Sequence, residues 1–255
     1  MKPPIVIIGI GEMAGVFARG FLRCGHPVYP VTRQMDPDHV AAALPEPLMV
    51  LVAVAEKDLQ PALRELPAAW RPRVMLLQNE LLPADWETHD LEPTVISVWF
   101  EKKKGQDHKV LVPSPVYGPH AALVARALHA LDIPTAILAD RDQLLFELVR
   151  KNLYIVTTNV AGLKVGGTVS ELREHHAPLM HEVATDVLAI QEHLTGVSLP
   201  RARLMEAMLA AFDGDPHHKC MGRSAPARLA RAITQAEEAG IEVPALRRIA
   251  AETTA

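Results

Sequence analysis

Along the first half of the chain, short apolar runs alternate with stretches whose apolar positions recur at helical spacing. The runs IVIIGI (5–10), PVYPVT (27–32), LMVLVAV (48–54), VMLLQN (74–79), TVISVWF (94–100) and KVLVPS (109–114) read as strands. Several are continuously apolar, as strands covered on both faces should be. Helical segments fall between them at 13–24, 58–66 and 119–131, the second with Asp58 as its expected N-cap. Strand–helix–strand alternation predicts an α/β domain built on a doubly wound, mostly parallel sheet. From about Asp140 the rhythm changes. DQLLFELVRKNLYIVTTNVAGL predicts a first helix over 141–163, about six turns long. Further helices are expected over 170–194, 199–211, 224–239 and 244–252, separated by Gly166-Gly167, Gly196, Gly214 with Pro216, and Gly240 with Pro244. Thr168-Val169-Ser170-Glu171 has the form of a capping box. The expected division is therefore 1–139, α/β, and 140–255, all helical.

The stretch GIGEMAG (9–15) joins the first strand to the first helix, and its chemistry is specific. In a Rossmann-type domain Gly9 would permit the tight turn and Gly11 would leave room for a pyrophosphate. Ala14 would let the helix pack closely on the strand. Glu12, Met13 and Ala14 open the helix, whose free backbone N–H groups favour an anion. These five residues are the expected dinucleotide turn, although glycines at such a turn can also serve geometry alone. The second strand ends in Thr32-Arg33, where an NAD site usually carries an acid. A guanidinium suits a 2′-phosphate, so NADP(H) is the expected cofactor. Arg33 as one more surface cation, with Asp36 or Asp38 approaching the ribose, is the alternative.

Composition narrows the classes. A net charge of −4 over 255 residues, with pI near 6.3, argues against a nucleic-acid partner. The run Lys102-Lys103-Lys104 has acids around it and no interleaved aromatics, and reads as a solvated loop face. Two cysteines, Cys24 and Cys220, give no disulfide framework. No apolar run reaches the roughly 18 residues of a spanning helix. A cytoplasmic protein without a membrane partner is expected. His217, His218 and Cys220, like His175, His176 and His181, lack zinc spacing, so no metal is expected. Ser114 lacks the G-x-S-x-G elbow of a hydrolase nucleophile.

In the second half, Lys151, Asn152 and Asn159 stand in an otherwise apolar helix. Seven residues bring Asn152 and Asn159 within about 20° of one another, with Lys151 adjacent. Such a face offers an acid and two amides; an exposed polar turn at Arg150-Lys151-Asn152 is the bland alternative. Arg223 and Ser224 stand at an expected helix N-terminus suited to a substrate carboxylate. Ser224 as N-cap, with Pro226 in the first turn, explains the serine equally well. The apolar positions Leu144, Leu148, Leu179, Val183, Val187 and Ile190 are expected to need a partner, which predicts a homodimer.

Four segments together resemble the ketopantoate reductases (2-dehydropantoate 2-reductases), within the larger 6-phosphogluconate and β-hydroxyacid dehydrogenase-like group. They are GIGEMAG; LLQNE (76–80), close to that family's Leu-Gln-Asn-Gly; Lys151 opening KNLYIVTTNVAGL; and AGIEVP (239–244), like the family's closing Gly-Ile-x-Val-Pro. The resemblance implies an NADPH-dependent reductase of a small oxo acid or related carbonyl compound. Lys151 would protonate the carbonyl oxygen as hydride arrives from the nicotinamide, Asn159 would bind substrate, and Asn79 would lie beside the nicotinamide ribose. Three positions depart from the pattern. The family's asparagine four residues after the lysine falls at Ile155, its lysine after the third strand near Ala55 with Lys57 displaced, and its late carboxylate at about Ser224. Two other functions fit: a non-catalytic NADP(H)-binding sensor or partner protein, and a C=N reductase like the pyrroline-carboxylate reductases, whose GxGxMA opening is similar.

Overall fold

The computed structural model describes residues 2–253. It divides into two compact units, Met1–Glu147 and Leu148–Ala255. In the first, the apolar runs become β1 (Ile5–Ile8), followed by α1 (Glu12–Arg23), β2 (Val28–Val31), α2 (Pro37–Ala43) and β3 (Met49–Val52). Next come α3 (Leu59–Arg64), β4 (Val74–Leu76), α4 (Ala84–Glu87), β5 (Thr94–Ile96), β6 (Phe100–Lys102) and β7 (His108–Val110). β8 (Ser114–Tyr117), α5 (Ala121–His129) and β9 (Thr135–Ile137) complete the unit. Seven strands form one sheet in the order β2-β1-β3-β4-β5-β8-β9, parallel except where β8 runs antiparallel to β5. The order reverses direction at β1. Crevices at such a reversal, outside the carboxyl ends of the strands, are where open α/β sheets bind ligands.

One face of the sheet buries Ile5, Ile7, Met49, Leu51 and Met75 against Phe17 and Phe21 of α1 and Val124, Ala127 and Leu128 of α5. The two helices approach closely because position 20 is glycine. A Cβ there would lie 2.5 Å from the Ala127 carbonyl oxygen.

TVISVWF does not remain one strand. After Ile96 the chain leaves the sheet: Ser97 N–H donates to the Pro115 carbonyl and Trp99 N–H to Ser114 Oγ. Phe100–Lys102 then pairs with His108–Val110 as a separate antiparallel hairpin. The edge strand β9 had no sequence signal, because its residues are part-buried or exposed, with Ile137 57% exposed.

The second unit holds most of α6 (Arg141–Val165), then α7 (Val169–His175), α8 (Ala177–Thr195), α9 (Arg201–Gly214), α10 (Ala225–Ala239) and α11 (Pro244–Thr253). The division falls after Glu147, within α6, rather than at 139, because the first turns of α6 belong with the α/β unit: Arg141 pairs with Glu92 there. The Thr168 capping box forms, with Thr168 Oγ1 accepting from Glu171 N–H and Glu171 returning the bond. The helix expected over 170–194 breaks at His176. Pro178 stands in the first turn of α8, where its missing N–H costs nothing. Asp186 of α8 caps α11, its carboxylate accepting from Ala245 N–H (2.8 Å) and Leu246 N–H (3.1 Å).

The argument for a dimer from bare apolar faces fails. Leu144, Leu148, Val183, Val187 and Ile190 are each at most 4% exposed in the single chain, and of the six expected positions only Leu179 is left half-buried. Among the described residues no helix is long and apolar enough to cross a membrane.

Candidate functional site

The glycine turn lies at the carboxyl end of β1, and its two glycines have different reasons to be there. Gly9 has φ +86°, and a Cβ on it would stand 2.9 Å from the Ala53 carbonyl oxygen. That glycine serves the fold. Gly11, the residue before α1, has an ordinary φ of −79°, and a Cβ on it would meet nothing within 4 Å. Space, not strain, is what Gly11 provides. Ala14 is 3% exposed and packs in the core beneath the turn, as the small third position requires. Glu12 and Met13 occupy the first turn of α1, whose leading N–H groups have no partner within the helix.

Beside this turn is a cleft of about 630 Å³. Its walls are Gly9, Ile10 and Gly11 from the turn, Val31, Thr32 and Arg33 from the end of β2, and Ala53, Val54, Ala55 and Asp58 from beyond β3. The cleft thus gathers the glycine turn and the Thr32-Arg33 pair into one concavity. Arg33 is 88% exposed and its guanidinium lies 3.4 Å from the Asp58 carboxylate. Asp58 makes no side-chain cap bond, contrary to the capping role expected from sequence; its carboxylate holds the arginine instead. Asp36 is engaged elsewhere, accepting from Asp38 N–H as the N-cap of α2. Lys57 is exposed and does not line the cleft.

The LLQNE segment follows β4. Gln78 is 7% exposed and its amide donates to the carbonyls of Val52 (2.7 Å) and Val54 (3.2 Å), tying the end of β4 to the end of β3. Asn79, half-buried, is thereby fixed at the carboxyl edge of the sheet. Sequence reasoning passed over Gln78, although a lone amide ending an apolar run was the available signal. Glu80 adopts φ +60°, the left-handed conformation that favours glycine.

In the helical unit, the two amides of α6 serve the fold. Asn152 is 2% exposed and donates to Gln191 of α8 at 3.0 Å, so the expected substrate contact from Asn152 has no open face. Asn159 donates to the Cys220 carbonyl (3.0 Å) and accepts from Arg228 of α10 (3.0 Å). It fastens the 216–224 loop to α6. The loop can approach because Gly162 is glycine: a Cβ there would lie 2.9 Å from Cys220 Cβ. Burial pushes the Cys220 thiol up to about 11, so it is no nucleophile. Lys151 is half-buried, its Nζ 5.8 Å from the centroid of the Tyr154 ring. Ile155, one turn on, is 9% exposed. Arg223 and Ser224 are both exposed at the start of α10, and Ser224 makes no side-chain capping bond. Among the described residues, no group of three or more His, Cys, Asp or Glu could hold a metal ion.

The architecture is a doubly wound, mostly parallel sheet followed in the chain by a helical unit. No protein-family model matches the chain, and no curated protein matches it in sequence. Solved structures do match. The PanE/ApbA family ketopantoate reductase from Ralstonia eutropha JMP134 aligns with a TM-score of 0.68 and 17% identity, over 98% of this chain and 97% of that one. D-mandelate dehydrogenase in complex with NADH gives 0.69 and 13%, over 98% and 97%. The dimeric ketopantoate reductase from Staphylococcus aureus gives 0.65 and 14%, again over 98% and 97%. The chain therefore has the ketopantoate reductase fold.

Proposed function

We propose that this protein is an NADPH-dependent reductase of a small oxo acid or related carbonyl compound. The observation that carries the reading is the cleft that joins Gly11, Thr32 and Arg33 at the carboxyl edge of the sheet. The fit to a dinucleotide rests on the open space over Gly11 and the unpartnered N–H groups of α1 behind it. When bound, NADPH would supply the hydride. Thr32 and Arg33 would hold the 2′-phosphate, Gly9, Gly11, Glu12, Met13 and Ala14 would form the floor beneath the pyrophosphate, and Asn79 would meet the nicotinamide ribose. Lys151 would give its ammonium proton to the carbonyl oxygen, leaving a hydroxyl on the product. Asn159 would keep the 216–224 loop in place beside α6, and Arg223 and Ser224 would receive a substrate carboxylate. The resemblance to reductases and to D-mandelate dehydrogenase supports an oxo-acid substrate.

The test is direct: binding of NADPH and NADH to the purified protein, with NADPH oxidation followed across a panel of oxo acids, aldehydes and imines. Arg33→Ala should weaken NADPH by about 1–3 kcal/mol, from the net worth of an ordinary hydrogen bond to that of a charged one, and leave NADH nearly unchanged. Equal loss for both would remove Arg33 from the 2′-phosphate.

A second reading, a non-catalytic NADP(H)-binding sensor, has its own observation. Ile155 is apolar where the resembled family hydrogen-bonds substrate, and both neighbouring amides are spent inside the fold. Tight NADPH binding with no turnover of any oxo acid or imine would select it. We further propose a homodimer, supported by the dimeric Staphylococcus aureus reductase of the same fold. Sedimentation at micromolar concentration should then show a dimer; one monomeric species would reject it.

A further inference from the structure

The lysine run 102–104 does not behave as one solvated face. Lys103 pairs with Glu101 at 3.2 Å and its side chain is 65% exposed. Lys102 is different: its side chain is 15% exposed and its Nζ lies 3.5 Å from Glu12, the first residue of α1. The ammonium is set by its own hairpin, donating to the carbonyls of Lys103 (2.9 Å) and Gln106. The hairpin is in turn anchored, with Phe100 buried and its ring 6.2 Å from Phe17 of α1. The hairpin therefore holds a cation against the side chain of Glu12, the residue that opens α1 directly after Gly11. Its pair with Glu12 is the loosest of its three contacts, beyond the usual 2.7–3.2 Å of a hydrogen bond.

We propose that Lys102 is a pyrophosphate-binding residue, delivered to the cofactor turn by the β6–β7 hairpin. The inference rests on the nucleotide-site reading above and adds a binding group to it. A carboxylate at Glu12 favours the helix N-terminus but repels the two phosphates expected there. Lys102 neutralises Glu12 while the site is open and turns to the nearer phosphate when a dinucleotide enters, so the helix start keeps a balanced charge in both states. Because the pyrophosphate is common to both cofactors, Lys102 contributes equally to NADPH and NADH, whereas Arg33 distinguishes them.

The experiment is calorimetric titration of the full chain with NADPH, NADH and adenosine 2′-monophosphate, which has no pyrophosphate. Lys102→Met keeps the buried stem and removes the charge; it should weaken both dinucleotides by the same factor, about 10- to 150-fold, as loss of a charge-assisted hydrogen bond predicts. Adenosine 2′-monophosphate should bind as before, and raised salt should shrink the difference. Dinucleotide affinities within twofold of the parent, or a loss confined to NADPH, would overturn the proposal while leaving the nucleotide site standing. A parent protein that binds neither dinucleotide ends both. Glu12→Gln leaves the hairpin untouched and decides the matter if Lys102→Met does not fold. It should tighten both dinucleotides, and unchanged or weaker binding counts against the phosphate-exchange role.

Discussion

Lys151→Ala is expected to lower kcat by about 10²–10⁴-fold, the usual contribution of a positioned general acid. NADPH affinity should stay near that of the parent, because Lys151 does not line the cleft proposed for the nucleotide. The substitution is also structurally mild. Lys151 is half-buried on α6, and alanine is the best helix former, so the helix backbone is preserved while the contact with the Tyr154 ring is lost. Stability and catalysis thus separate at this position. They do not separate at Asn159. Removing its amide would leave the largely buried Arg228 without that acceptor and free the Cys220 carbonyl, loosening the loop before any substrate is bound. Lys151→Arg is the informative companion: it keeps the charge but holds its proton too tightly to act as an acid, so it should be nearly as slow as alanine. Single-turnover rates with saturating NADPH and substrate would measure both. A kcat within threefold of the parent in Lys151→Ala would place the proton elsewhere or favour the sensor reading.

The sequence carried the α/β frame because its central strands are buried on both faces and appear as unbroken apolar runs. It carried the glycine turn because Gly9 closely approaches Ala53, while Gly11 stands before open space. What it could not carry depends on partners distant in the chain. Asn152 and Asn159 lie on one helical face, as their spacing requires, but spacing does not say that the face meets Gln191 and the Cys220 carbonyl rather than a ligand. Asp58 has the position of an N-cap and instead holds Arg33, 25 residues away. Of the six apolar positions expected to need a partner, all but the half-buried Leu179 are buried by the same chain. TVISVWF reads as one β-rich run, and the single Ser97 after Ile96 is too slight a signal to announce that the strand ends there and that Phe100 begins a hairpin. The hairpin matters most for the site, since it converts one lysine of a surface run into a fixed charge beside α1.

Gly9→Ala and Gly11→Ala should fail in opposite ways, and the contrast tests whether the turn is a binding device. At Gly9 the backbone is left-handed, φ +86°, and the added methyl would meet the Ala53 carbonyl oxygen at 2.9 Å and Val54 Cγ1 at 3.3 Å. The conformation costs a non-glycine residue about 1–2 kcal/mol. Overpacking against the carbonyl of Ala53, whose own N–H donates to the Ile8 carbonyl at 2.8 Å, adds about 1–3 kcal/mol. Urea unfolding should therefore show a loss of roughly 2–5 kcal/mol from these two terms. Gly11→Ala meets neither difficulty: φ is −79° and no atom lies within 4 Å of the new Cβ. Its stability should change by no more than about 1 kcal/mol, the cost of a poorer residue at the N-cap. The methyl would, however, occupy the space above the α1 N-terminus where the pyrophosphate is proposed to lie. A clash of ordinary overpacking size, about 1–3 kcal/mol, corresponds to roughly 5- to 150-fold weaker binding of NADPH and NADH alike. If Gly11→Ala binds both cofactors as tightly as the parent, the second glycine has no ligand to make room for. The turn would then be only a bend between β1 and α1, and the nucleotide reading would lose its floor.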